Sequence, residues 1–294
     1  MRHILDYYPI AMAEGEGAGT AYEYYVKARA LRKVLAQTGQ PKSLLILGLP
    51  ERYGFSFDFL LLAQDMYCQR VLVIDERPER MERFKQGYNQ LITAGVIKPI
   101  PNLEFADCPA DKGIGVNLNV AQGFSPAGSH NVCVQSGADL KVCATDKCLK
   151  STLLANKGEF DLFISCEVLQ RLAPNEQPDY WKAGLKSAKA GVVFTPNADN
   201  PDHAAHSGLK TVNIQTMRQQ AQAAGGEILI DGYLDLPPFP PGIKRSDKQR
   251  ESAGQGLFRL AFWGIEQWAK LENCFSLNYR KKSAHIVFVA AKRG

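Results

Sequence analysis

The feature that most constrains this chain is an alternation of two patterns. Short, wholly apolar runs of strand length are separated by longer segments in which apolar residues recur at helical spacing. From residue 20, Tyr24, Ala28, Leu31 and Leu35 share one helical stripe while Lys27, Arg29, Arg32 and Lys33 mostly face away, and Gly39 and Pro41 end the helix. Residues 43–47 then form a continuous apolar run, the mark of a strand buried on both faces of a parallel sheet. A helix over 57–65 leads to a second such strand over 70–74, which stops at the acidic pair Asp75 and Glu76. Pro78 suits a first helical position, and Met81, Phe84, Tyr88 and Leu91 carry that helix to Gly95. Residues 103–105 read as a third strand, closed by Asp107. Strand and helix in strict alternation call for right-handed crossovers and a parallel sheet covered on both faces.

Pattern is lost over 108–139, where Gly, Asn, Ser and Pro accumulate, and this stretch reads as an insertion. The alternation resumes with a helix at 146–157, a strand at 160–165, a helix at 178–189 and a strand at 191–195. A helix over 214–224, a strand over 227–230, a proline-rich link, an aromatic helix over 257–271 and a last strand over 285–291 complete the chain. One domain over 20–294 is expected, preceded by a Glu/Gly-rich mobile arm over 1–19, with the proline link and aromatic helix occupying 232–271.

Composition excludes several classes. No apolar run approaches the roughly 20 residues that cross a bilayer, and the first residues lack the apolar stretch of a secretory signal. Seven cysteines without regular spacing suit reduced thiols and a cytoplasmic setting. A net charge of +5 without a long basic block gives no reason to expect nucleic acid.

In an open parallel sheet, ligands bind at the carboxyl ends of the strands near the switch in strand order. The turn after the first strand offers Gly48, Pro50 and Gly54. Asp75, ending the second strand, is placed to accept hydrogen bonds from both hydroxyls of a ribose, or else to cap the helix behind Pro78.

Four segments carry a family resemblance: "SLLILGLPERYG" at the first loop, "VLVIDERPERMERF" around the acid, "NLEFADC" at the third strand, and "FDLFISCEVLQRL" at the strand after the insertion. With them the chain resembles the class I S-adenosylmethionine-dependent methyltransferases, from the helix at Thr20 to the last strand. The fourth segment is the most specific: Glu167, Val168 and Leu169 are in register with the family pattern, and Arg171 stands where a histidine is frequent.

The resemblance implies an α/β, Rossmann-like three-layer sandwich with a mostly parallel seven-stranded sheet, an antiparallel final strand and helices on both faces. It implies S-adenosyl-L-methionine as cofactor, held by Gly48, Pro50, Gly54, Asp75 and Glu76, with Cys166 and Glu167 lining the reacting centre. Asp107 would receive the adenine amine, or Asp146 if the insertion lies earlier. Of the family's glycine loop only the first glycine survives; Pro50 and Arg52 replace the others. Either the cofactor is held differently, with Glu51 or Tyr53 taking part, or it is no longer bound.

Past the fifth strand the chain reads "DNPDHAAH". There His203 or His206 could serve as general base on the atom that accepts the methyl, and no metal is expected. Asp235 opens "DLPPF", which looks like an amino-methyltransferase motif but falls after the wrong strand. Phe258, Phe262, Trp263 and Trp268 make the aromatic helix a buried element, a dimer contact or a substrate wall; a membrane role would need a basic face, for which it offers only Arg259 and Lys270. The function expected is methyl transfer to a small-molecule acceptor, the alternative a binding protein on a degenerate fold. A nicotinamide-dependent oxidoreductase ranks last, because the glycine-rich turn is missing.

Overall fold

The structure is a computed structural model and describes residues 2–50, 54–107, 119–120, 159–207, 211–238 and 255–294. Eight strands form one sheet: β1 (Ser43–Leu47), β2 (Arg70–Asp75), β3 (Leu103–Asp107), β4 (Asn119–Val120), β5 (Phe160–Cys166), β6 (Ala188–Pro196), β7 (Gly226–Leu234) and β8 (Ile286–Arg293). Their order is β4-β3-β2-β1-β5-β6-β8-β7. Strands β3, β2, β1, β5 and β6 are mutually parallel, β8 runs antiparallel between β6 and β7, and the two-residue β4 pairs antiparallel on the edge of β3. Apart from that short edge strand, this is the expected seven-stranded sandwich.

The sheet separates two apolar clusters by the period of two that strands impose. Leu44, Ile46, Val71, Val73, Val192, Phe194, Phe288 and Ala290 face one side, and Leu45, Leu47, Leu72, Ile74, Val193, Val287 and Val289 the other. The first side is covered by α1 (Ile4–Ala13), α2 (Ala18–Thr38), α3 (Asp58–Asp65), α4 (Pro78–Thr93) and α8 (Gln255–Leu271); the second by α5 (Gln177–Ser187) and α7 (Ile214–Ala223). Two short helices, α6 (Pro201–Ser207) and α9 (Leu277–Ser283), sit in the connections to α7 and β8.

The expected mobile arm over 1–19 is instead the helix α1 and its turn into α2. Ile4, Tyr7, Ile10 and Ala11 are buried, so the segment forms part of the core. His3 N–H donates to the Asp6 carboxylate at 2.7 Å and starts the helix, while Tyr8 packs edge-on against Phe258 and Phe262 of α8 at 5.2 and 5.0 Å. The aromatic helix is not buried all round: Phe262 and Ala269 face the core, but Trp263 is 61% exposed. Most of the insertion, the helix expected at 146–157, Asp146 and most of the proline link lie outside the described residues.

Chain order reverses between β1 and β5, since from β1 the chain builds outward through β2 and β3, then returns to the other side. The carboxyl ends of these strands therefore meet at the switch point, the edge at which open α/β sheets bind their ligands. Because β8 is antiparallel, its first residues arrive at this same edge.

Candidate functional site at the carboxyl edge of the sheet

Gly48 follows β1 with φ +79°, and its N–H donates to the Ile74 carbonyl at 2.7 Å. A Cβ at this position would lie 2.2 Å from Val168 Cγ2, so both conformation and space demand glycine. The surviving glycine of the loop is thus needed by the protein's own packing. Gly54 also has positive φ (+63°), and a Cβ there would strike the Glu14 carboxylate. Pro50 is buried, and residues 51–53 lie outside the described residues.

Asp75 is fully buried with all its acceptor capacity directed at the protein. It accepts from Leu49 N–H at 2.6 Å and from Arg77 three times: the backbone N–H at 2.9 Å, Nε at 2.8 Å and Nη2 at 2.8 Å. Burial alone would raise its pKa; the Arg77 bonds and the nearby Arg171 outweigh burial and hold the carboxyl below its usual range. The neighbouring Glu76 pairs with Arg171 through Oε1 at 2.5 Å. Among the described residues its Oε2 is buried without a hydrogen-bond partner, as are Arg171 Nε and Nη2. Buried polar atoms are rarely left so, which singles out this pair as a candidate contact for a polar group. Asp107 lies in register beside Asp75, one strand further out.

At the end of β5, Glu167 has φ +58°, unusual for a residue with a side chain, and its N–H donates to the Phe194 carbonyl at 3.0 Å. Cys166 meets Lys27 of α2, whose Nζ lies 3.9 Å from its Sγ. Lys27 is fully buried, 3.0 Å from Glu23 and 3.4 Å from Asp58. Burial works against its charge, but the carboxylates of Asp58 and Glu23 prevail and keep it protonated. Burial pushes Asp58 up to about 7 despite Lys27, and raises the Cys166 thiol far enough to keep it un-ionised. Cys166 is therefore a packed thiol and no nucleophile.

Beyond β6 the structure assembles a pair that sequence spacing did not suggest. His285 Nδ1 lies 3.0 Å from the Asp235 carboxylate, and its backbone N–H donates to the Asp235 carbonyl at 3.0 Å. Burial would lower the imidazole pKa; Asp235 more than compensates, Glu23 and Glu272 add to it, and the net shift is upward. His203, one of the two expected bases, stacks on this ring, and for His206 only its place on α6 is described. Asp199, from the same stretch, accepts from the Tyr233 hydroxyl at 2.9 Å. Among the described residues no three ligand-type side chains cluster as a metal site.

The groups that sequence reasoning missed are thus Lys27, Asp58, Arg77, Asp235 and His285. A signal existed for His285: it directly precedes the last strand, and an antiparallel strand begins where its parallel neighbours end.

No protein-family model matches this chain, and no curated protein sequence matches it. Solved structures are similar over most of its length. A SAM-dependent methyltransferase from Archaeoglobus fulgidus has 12% identity and a TM-score of 0.48, with 92% of this chain and 94% of that one covered. The methyltransferase domain of a bacterial Hen1 (CtHen1) has 10% identity and a TM-score of 0.46, covering 91% and 97%. A geranyl diphosphate methyltransferase in complex with SAM has 11% identity and a TM-score of 0.46, covering 94% and 90%. Likeness at this level fixes neither substrate nor site residues.

The fold follows from the strand order itself. With the edge strand β4 set aside, the order β3-β2-β1-β5-β6-β8-β7, antiparallel only at β8, is that of the class I methyltransferase sandwich.

Proposed function

We propose that this protein transfers a methyl group from S-adenosyl-L-methionine to a small-molecule acceptor. The observation that carries the reading is at the switch point: Glu76 and Arg171 hold each other through Oε1, while Glu76 Oε2 and Arg171 Nε and Nη2 have no hydrogen-bond partner among the described residues. We read Glu76 as the acceptor for the ribose hydroxyls and keep Asp107 for the adenine amine, as the resemblance implies. Asp75, its oxygens already taken by Leu49 and Arg77, would fix the loop and Glu76 in place. The backbone at Gly48, Pro50 and Gly54 and the strand end at Cys166 and Glu167 would border the methionine part.

When bound, the cofactor supplies a methyl already activated by its sulfonium, so the chain has to align the acceptor, exclude water and take up at most one proton. His285 is the base we assign. Asp235 holds its Nδ1, as in nucleophile-activating pairs, which leaves Nε2 to receive the acceptor's proton; His203 steadies the ring's orientation by stacking.

Calorimetric titration with S-adenosylmethionine, S-adenosylhomocysteine and NAD tests the reading. Binding of the first two, weakened at least tenfold in Glu76→Gln, is expected. A second reading draws on the saturation of Asp75 by Arg77, which suits a closed, non-catalytic site. A folded sample that binds none of the three ligands would decide for it.

A further inference from the structure

Five of the six large apolar side chains most exposed among the described residues lie on α8 and α9: Leu260 (60%), Trp263 (61%), Leu271 (51%), Leu277 (63%) and Tyr279 (48%). On α8, Leu260, Trp263 and Leu271 fall at i, i+3 and i+11, one stripe of the helix. The opposite face, with Phe262 and Ala269, is the one that fills the core. The outer stripe is thus surplus to packing. Phe275 joins the two helices into one surface, its ring 5.1 Å from Trp268 and 5.2 Å from Tyr279.

The charge on this surface has one sign. Between Gly256 and Lys282 the exposed charged residues are Arg259, Lys270, Lys281 and Lys282, all basic. Both carboxylates of the segment, Glu266 and Glu272, are buried and engaged inward. Glu266 meets His3 and Ile4 N–H as well as Lys270; Glu272 meets the Tyr22 hydroxyl and Leu236 N–H. Lys281 leans on Asp199 at 3.5 Å, whereas Arg259 and Lys282 have no carboxylate partner among the described residues. The basic face that α8 lacks by itself is supplied by α9.

We propose that the α8–α9 surface docks on an anionic lipid bilayer. Exposed Trp, Tyr and Leu side chains on the same two helices as exposed Lys and Arg match the headgroup boundary, where the apolar tips enter and the cations meet lipid phosphates. A second copy of the chain is a poor occupant, because an isologous contact would set a face whose exposed charges are all basic against itself. The proposal does not depend on the reading of the carboxyl-edge site.

Flotation of the full chain with phosphatidylcholine vesicles, with and without phosphatidylglycerol, tests it. Binding is expected only to the vesicles containing phosphatidylglycerol, falling with salt. Trp263→Ser combined with Leu277→Ser should weaken it at least tenfold, and Lys282→Glu by roughly fivefold or more. These positions are exposed, so the variants should keep the wild-type melting temperature, which circular dichroism checks. Equal binding to both vesicle types, binding unaffected by the variants, or no binding by the folded wild type would overturn the proposal. So would a dimer in sedimentation that the double variant dissolves, since the face would then be a contact between copies.

Discussion

Arg77 grips both carboxylate oxygens of Asp75, with Nε and Nη2 each 2.8 Å away, and passes Nη2 on to the Leu49 carbonyl at 2.7 Å. The loop after β1 is thereby tied to the end of β2 by one ion pair whose acid is fully buried.

Breaking that pair from one side leaves the guanidinium without its main partner. Asp75→Asn should lower stability at neutral pH by about 3 kcal/mol, measured by urea unfolding. Because the folded pKa of Asp75 is depressed, its contribution is present above the unfolded pKa and is lost as pH falls through the folded value. The gap between wild type and variant should therefore narrow below about pH 4.

Gly48→Ala meets two obstacles, a positive φ and a Val168 methyl 2.2 Å from the new Cβ. The backbone cost is about 1–2 kcal/mol and overpacking adds about 1–3 kcal/mol. Adding Val168→Ala should recover only the steric share; a double-mutant cycle on unfolding free energies would expose a different division.

Glu14 should make the protein less stable in mild alkali. Its carboxylate is turned inward onto Tyr24 and Phe57 N–H, and burial pushes its pKa up to about 8 against those bonds. A raised folded pKa means that stability is fully present below the unfolded pKa and declines as pH rises towards 8. Asp58 and Glu272, both raised to about 7, share the decline at lower pH. Glu14→Gln should flatten the curve of melting temperature against pH most clearly between pH 7 and 8.

Asp235 should set the titration of His285. In Asp235→Asn the imidazole loses the main partner that raises its pKa, and only Glu23 and Glu272 remain to set against burial, which lowers it. The Cε1–H resonance of His285, followed by NMR against pH, should move to a clearly lower midpoint. An unchanged midpoint would remove Asp235 from the assignment of this base.

Local pattern carried far where an element is buried by its own composition. The bounds of β1 are those that the apolar run defines, and β2, β5 and α4 differ from expectation by a residue or two at their ends. It carried less far at the sheet edge. There β7 extends over Gly226–Leu234, well past the expected 227–230, because Asp231 and Gly232 interrupt an apolar run that ladder bonds to β8 continue through. Helix α1 has buried residues at helical spacing, but it is short and holds Pro9, so its stability comes from docking on α2 and α8.

By itself the sequence determined the succession of strands and helices, and hence the edge where acids and glycines gather, because hydrophobic periodicity is a property of neighbouring residues. Tertiary structure decided which polar groups meet there. Glu76 finds Arg171 across 95 residues, Asp235 finds His285 across 50, and Lys27 reaches Cys166 across 139. Such pairings depend on strand order, register and the path of loops, which place distant side chains within a few ångströms in a space from which water is excluded. There an unmatched charge is costly, and so each group's partner, more than its own type, sets its protonation and its role.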